Sequence, residues 1–376
     1  MERMQRKRIM SLTDYRTLGQ SGLIVSPLAL GTMTFAAGRW GAGEEVSKDL
    51  FNTYVDAGGN FIDTADIYSN GRSEEMLGVF VEERGLRDRL VVATKSGFSR
   101  SQGTPLHGGN GAKNIRHALE GSLNRLRTDY IDMYWMHVWD KTTPAEEVLQ
   151  TMADAVRAGK ILHYGFSNTP AWYIAKVATL AKVHGLPMPI GLQYSYSLLD
   201  RGIELELLPV GAEFGLGHVP WSPLGAGLLT GKYGRDMLAH ANRPADMPDK
   251  AGDEGGAEQQ GRLNGDNPFG GMLFTERNFD IVDVLRAVSA EVGRSMAEVA
   301  LNWVASRPGV SSVLIGASRS EQLLQNLASL DFTLSEAHQA RLDDATQLPL
   351  INPYFIFKLP SQVLFGGQTV RGWRRA

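Results

Sequence analysis

LVVATK (residues 90–95), KNIRHALEGSLNRLR (113–127) and IDMYWMH (131–137) follow one another and decide the fold. The first and third are short apolar runs of strand length, and each ends on a titratable side chain. The second places Ile115, Ala118, Leu119, Leu123 and Leu126 on one face of a helix, a stripe that must turn inward. Strand, amphipathic helix, strand is the unit of a parallel sheet covered by helices.

Working outward, six more runs repeat the pattern: LAL at 28–30, NFID at 60–63, ILHYGFSN at 161–168, IGLQYS at 190–195, HVPWSP at 218–223 and SVLIGA at 312–317. Eight strand–helix units point to an α/β fold of the (β/α)8 TIM-barrel kind; a doubly wound sheet with an added domain is the other arrangement the pattern permits. Thr143-Pro144-Ala145-Glu146 and Ser295 to Glu298 read as capping boxes, Thr169-Pro170 as a cap-plus-proline start, and Gly58, Gly159 and Gly185 as helix ends. Gly19-Gln20-Ser21-Gly22 between apolar runs predicts an N-terminal β-hairpin under the barrel. A Gly-, Asp- and Pro-rich stretch at 233–275 is a long insertion after the seventh strand. The chain reads as a single domain, 1–376, with its core at about 15–346 and an aromatic tail at 347–376 (Tyr354, Phe355, Phe357, Phe365, Trp373) laid over the barrel.

Composition removes several function classes. The formal charge of -3, from 38 basic and 41 acidic residues, offers nothing to hold nucleic acid or an anionic membrane. With 0 cysteines, disulfides, thiolate metal sites and cysteine nucleophiles are excluded. No run of about 20 apolar residues occurs, and the basic start MERMQRKRIM has no apolar stretch behind it, so a cytoplasmic protein is expected.

The strand ends are where a barrel places its chemistry, and here they are polar: Asp63, Lys95 and His137, with Tyr68 five residues beyond Asp63. Each alone has a structural explanation, such as a buried ion pair or a satisfied core histidine. All four projecting into one barrel mouth do not.

GGNFIDTADIYSNGRSEEMLG (58–78), VVATK and YWMH resemble, in order, the signatures of the aldo-keto reductase family, in particular of a bacterial NADPH-dependent carbonyl reductase, and the resemblance spans nearly the whole chain. It implies that Asp63, Tyr68, Lys95 and His137 form the catalytic tetrad. The chemistry agrees: a phenol titrates near 10, a nearby ammonium such as that of Lys95 favours its ionised form, Asp63 would hold that ammonium, and His137 would orient the carbonyl oxygen.

The resemblance further implies a nicotinamide cofactor. Ser167, Asn168 and Gln193 resemble the trio that holds its carboxamide, and Trp221 stands where an aromatic ring stacks on it, although a tryptophan at a strand end also serves as plain core. WSPLGAGLLTGKY (221–233) resembles the pyrophosphate loop, with Ser222, Pro223, Leu224, Gly227 and Lys232 as contacts, and Gly31, Thr32 and Met33 flank the site from the first strand. A phosphate loop of the Walker type is rejected, because Ala226 stands where its first glycine belongs and Tyr233 replaces its Ser or Thr. IGASRSEQLLQNL (315–327) resembles the adenosine end, implying contacts from Gly316, Ser318, Arg319, Gln322, Gln325 and Asn326. Many members place a basic residue where Ser318 stands and here Arg319 comes one position later, so NADPH is expected and NADH stays open. The insertion would be a cofactor lid or a surface loop.

A small-molecule carbonyl substrate is implied, bulky ketones such as keto-terpenoids included, with Phe35, Trp40, Phe98 and Trp139 as candidate mouth residues and no metal. Two other readings differ in class: a cofactor-sensing β subunit of a channel, sharing the binding site without turnover, and a metal-dependent barrel hydrolase, for which only His137 and Asp63 qualify as ligands. Natural substrate, direction and oligomeric state have no sequence signal.

Overall fold

The Leu18 N–H donates to the Leu23 carbonyl (2.8 Å) and closes an antiparallel hairpin of β1 (Arg16–Thr17) and β2 (Ile24–Val25). The computed structural model describes residues 10–37, 41–240, 263, 270–349 and 351–370. The hairpin turn sits so close to the sheet that a Cβ on Gly19 would lie 2.4 Å from the Gly215 carbonyl oxygen. Leu18, Leu23 and Val25 are buried with barrel-interior residues, so the hairpin plugs the end where the strands begin.

Eight parallel strands follow: β3 (Leu28–Gly31), β4 (Phe61–Asp63), β5 (Val91–Ser96), β6 (Ile131–Met136), β7 (Ile161–Ser167), β8 (Gly191–Gln193), β9 (Gly217–His218) and β10 (Val313–Ile315). Their order is β10-β3-β4-β5-β6-β7-β8-β9, and the two ends meet where Leu314 donates to the Pro220 carbonyl (2.9 Å) and Ser311 to that of His218 (2.8 Å). This is the expected (β/α)8 barrel. Its register sets Gly31 beside Asp63, Lys95 beside Trp135 and Ser167 beside Gln193. Trp135 and Met133 fill the interior, and Gly165 and Gly191 admit them: a Cβ on Gly165 would lie 2.7 Å from the Trp135 ring.

Outside run α1 (Glu44–Asp56), α2 (Arg72–Arg84), α3 (Ala112–Leu126), α4 (Ala145–Arg157), α5 (Ala171–His184) and α6 (Ile203–Phe214). Beyond β9 come a single turn α7 (Gly270–Leu273), then α8 (Glu276–Val292) and α9 (Met296–Ala305), and beyond β10 come α10 (Ser320–Leu327) and α11 (Glu336–Ala345). The stripe read on α3 is buried at all five positions, because those side chains alone can cover the strands. Of the two capping boxes, Ser295–Glu298 forms in both directions. The one at Thr143 does not: its hydroxyl donates to Asp140 (2.6 Å), which also accepts the Thr143 N–H, and Pro144 stands at the helix boundary instead. Thr169 likewise turns its hydroxyl to the Ser167 carbonyl (2.9 Å).

The chain divides into two units, Met1–Thr346 with the barrel and Gln347–Ala376. In the second, α12 (Tyr354–Phe357) and α13 (Ser361–Leu364) are single turns whose apolar side chains are largely exposed, Phe357 at 72%. Trp373 lies outside the described residues, as does most of 233–275. Among the described residues no helix is long and apolar enough to cross a membrane.

Candidate active site

β4 and β5 end side by side, which puts Asp63 and Lys95 in one layer of the barrel. The Lys95 ammonium is fully buried; it donates to Asp63 Oδ1, to the Thr64 carbonyl (2.7 Å) and to the Tyr68 hydroxyl (3.3 Å). Asp63 Oδ2 accepts from Gln193 Nε2 (2.9 Å). Burial lifts the Asp63 carboxyl above its usual range; burial also works against the Lys95 ammonium, but the Asp63 charge and then Tyr68 outweigh it and hold Lys95 above its ordinary value. Lys95 therefore keeps its proton, and since a neutral Asp63 would leave that buried cation unpaired, the pair is ionised.

His137 follows β6 and stands edge-on to Tyr68, ring centroids 6.0 Å apart, and to Phe98, 4.8 Å apart. Burial, and then the Lys95 charge, hold its pKa well below 6.5, so the imidazole is neutral at physiological pH and has one N–H to give. Four residues separated in sequence thus converge at the strand ends, as expected.

The backbone after Tyr68 is strained. Ser69 (φ 46°) and Asn70 (φ 54°) are both left-handed, at about 1–2 kcal/mol per residue for side chains with a Cβ, and Gly71 continues at φ 94°. Ser69 Oγ donates to the Phe35 carbonyl (2.9 Å) and Arg100 Nη2 to the Asn70 carbonyl (2.9 Å). Beneath this turn lie two buried carboxylates. Glu74 is bound by Arg125 (2.7 Å) and Thr94 (2.5 Å), while burial, and then Glu74, raise Asp66 to about 7 against the opposing charge of Arg100. Among the other non-glycine positive φ values, Ala36, Asn168, Ser222 and Ala226 fall at strand ends and their loops, as does Lys141, while Arg127 caps the C-terminus of α3. Strain of this kind gathers where a site must be held in one shape.

Gln193 and Asn168 flank the pair, Asn168 Nδ2 reaching the His137 carbonyl (3.0 Å) and Ser167 Oγ (3.0 Å). Trp221, Ser222 and Ala226 line a hollow of about 220 Å³. It is followed by a groove of about 860 Å³ lined by Leu224, Lys232, Arg319, Gln322, Gln325 and Asn326. Gln322 accepts from the Ser318 N–H (3.0 Å), and Asn326 donates to the Gly316 carbonyl (3.2 Å). Gly227 lets the Lys232 stem pass, a Cβ there lying 3.0 Å from Lys232 Cε. With two cations against one carboxylate, Glu321, and several amides, the groove fits a phosphate-rich dinucleotide.

The other expected residues differ in exposure. Thr32 is fully buried, its hydroxyl bonded to Ser73 (2.8 Å) and to the Asp63 carbonyl (3.3 Å), so it braces the loop. Pro223 is buried, and Met33 is partly exposed. Phe35 is no mouth residue: it is fully buried against Phe80, because its loop folds down onto α1 and α2. Trp40 lies outside the described residues. Phe98 and Trp139 do stand at the mouth, joined by Trp172, which the sequence reading passed over; Trp172 is 59% exposed and meets the Trp139 ring edge-on at 5.6 Å. Its position four residues after Asn168 was the available signal. Among the described residues no three His, Asp or Glu side chains group to hold a metal.

A barrel with a buried ammonium, a phenol and a neutral imidazole at one mouth, beside a dinucleotide-sized groove, defines a nicotinamide-dependent oxidoreductase. The chain belongs to the Aldo/keto reductase family, whose profile matches residues 27–347. It is 33% identical to a probable voltage-gated potassium channel subunit beta of Oryza sativa, over 93% of this chain and 96% of that one. It is 34% identical to a norsolorinic acid reductase of Emericella nidulans, over 93% and 86%. To an aryl-alcohol dehydrogenase [NADP(+)] of Phanerodontia chrysosporium it is 31% identical, over 89% and 86%.

Proposed function

We propose that this protein reduces an aldehyde or ketone to the alcohol with NADPH, Tyr68 acting as the proton donor. The observation that carries this reading is the Lys95 ammonium, bonded at once to Asp63 and to the Tyr68 hydroxyl (3.3 Å) at the barrel mouth. When bound, NADPH supplies hydride to the carbonyl carbon. The protein's own groups do the rest. Asp63 keeps Lys95 charged, Lys95 eases loss of the Tyr68 proton to the developing alkoxide, and neutral His137 donates to the same oxygen.

Asn168 commits both amide hydrogens to the protein and Gln193 one of its two, so Asn168 would offer a nicotinamide carboxamide its carbonyl oxygen and Gln193 its carbonyl oxygen and one N–H. Lys232 and Arg319 would meet the phosphates, and Arg319 stands in for the basic residue missing at Ser318. Phe98, Trp139 and Trp172 favour a flat or bulky apolar frame around the carbonyl, in keeping with the norsolorinic acid and aryl-alcohol named for two relatives.

The test is consumption of NADPH or NADH by the purified protein over a panel of aromatic aldehydes, quinones and bulky ketones. Turnover with at least one, faster with NADPH, is expected. Tight NADPH binding with no turnover on any of them contradicts the enzymatic reading and favours a regulatory subunit like the rice relative.

A further inference from the structure

The left-handed Ser69–Asn70 pair directly after Tyr68 has two clamps of different character. The first is the Ser69 hydroxyl on the Phe35 carbonyl (2.9 Å), and Phe35 is fully buried in the core. The second is Arg100 Nη2 on the Asn70 carbonyl (2.9 Å). Arg100 belongs to the loop after β5 that also carries Phe98, 43% exposed and packed edge-on against His137. Arg100 is built into this place: its Nε is buried without a hydrogen-bond partner among the described residues, and its charge acts on the buried Asp66. A Cβ on Gly71 would lie 2.7 Å from Arg100 Nη2 and 2.9 Å from Arg125 Cδ, so both arginine side chains pass close against the turn.

We propose that Arg100 is a positioning residue for the Tyr68 hydroxyl: by holding the Asn70 carbonyl it keeps the strained pair left-handed, and it ties the Phe98 loop to the proton donor. This rests on Tyr68 being that donor. A non-glycine left-handed pair gains by relaxing to negative φ unless held. The residue moved first by such relaxation is its neighbour Tyr68, whose contact with Lys95 at 3.3 Å has little slack. The first clamp is anchored in the core; the second sits on the mouth, where a substrate packed on Phe98 steadies the loop and with it the acid.

The experiment uses the full chain as Arg100→Met, Arg100→Lys, Arg100→Met with Asn70→Gly, and Tyr68→Phe. It measures single-turnover NADPH consumption with a saturating aldehyde, KM, and NADPH affinity by tryptophan quenching, and it includes a crystal structure of Arg100→Met. Arg100→Met should lose about 100-fold in rate, as expected of a misplaced acid, with KM and NADPH affinity within about twofold. In its crystal structure the Tyr68 hydroxyl should stand farther from Lys95 than 3.3 Å. Arg100→Lys should restore most of the rate, and Asn70→Gly, which removes the cost of the left-handed state, should recover about tenfold. A wild-type rate in Arg100→Met overturns the proposal. So does a loss of rate together with NADPH affinity that neither Lys nor Asn70→Gly repairs. If Tyr68→Phe turns over, the donor assignment fails whatever Arg100 does; if it is silent while Arg100→Met is fully active, Arg100 alone was misjudged.

Discussion

Lys95 is a fully buried cation, held by one carboxylate, one carbonyl and one phenol. Removing one partner of a buried pair costs about 3–5 kcal/mol, because the other charge is left uncompensated. Asp63→Asn should therefore lower unfolding free energy by about that much in urea titrations, as well as slowing turnover, whereas an Asp63→Asn chain as stable as wild type would mean that Lys95 is already neutral. At this scale the sequence was informative where a polar side chain ends an apolar run, as at Asp63, Lys95 and His137, since such a residue must face the mouth or be paired. It was silent on Arg100, whose partner lies 30 positions away across two loops, and misleading on Phe35, whose loop could equally have risen over the mouth.

Among the elements, β9 carries a consequence for acid stability. His218 is buried at 2% exposure between β9 and α6, close enough that a Cβ on Gly211 would lie 2.5 Å from its Nε2. Burial pulls its pKa from 6.5 to about 4, opposed by a weaker contact with the Leu207 carbonyl. The unfolded chain thus binds a proton that the folded one refuses between these values. The stability His218 contributes is complete above about pH 6.5, falls as pH drops toward 4, and amounts to about 3 kcal/mol over that window. Urea midpoints measured from pH 7 to pH 4 should fall more steeply for wild type than for His218→Gln; parallel slopes would show that His218 does not titrate on unfolding. The eight strands were legible because each is an apolar run of the right length between helical patterns. The starts of α4 and α5 were legible too, but the threonine caps read there do not form, because Asp140 and the Ser167 carbonyl take the Thr143 and Thr169 hydroxyls.

For the whole molecule, eight units closing on themselves leave no open sheet edge, and Leu314 meeting Pro220 completes the ring. That closure follows from counting units, which the sequence allows. The insertion and the tail do not follow, because neither has a period that ties it to a strand. The barrel unit ends at Thr346, whose hydroxyl bonds to the Leu342 carbonyl (2.8 Å) and accepts from Arg201 (2.8 Å). A chain stopped after 346 should keep its melting temperature within a few degrees, and a collapse of the melting transition would show the tail to be part of the core. All of this places one ammonium against one phenol at the mouth. The most direct test is a single turnover of NADPH with an accepted aldehyde in wild type and Tyr68→Phe, with NADPH affinity measured on both. The account predicts equal affinity and a rate lowered by at least about 100-fold in the Phe chain, and an undiminished rate would contradict it.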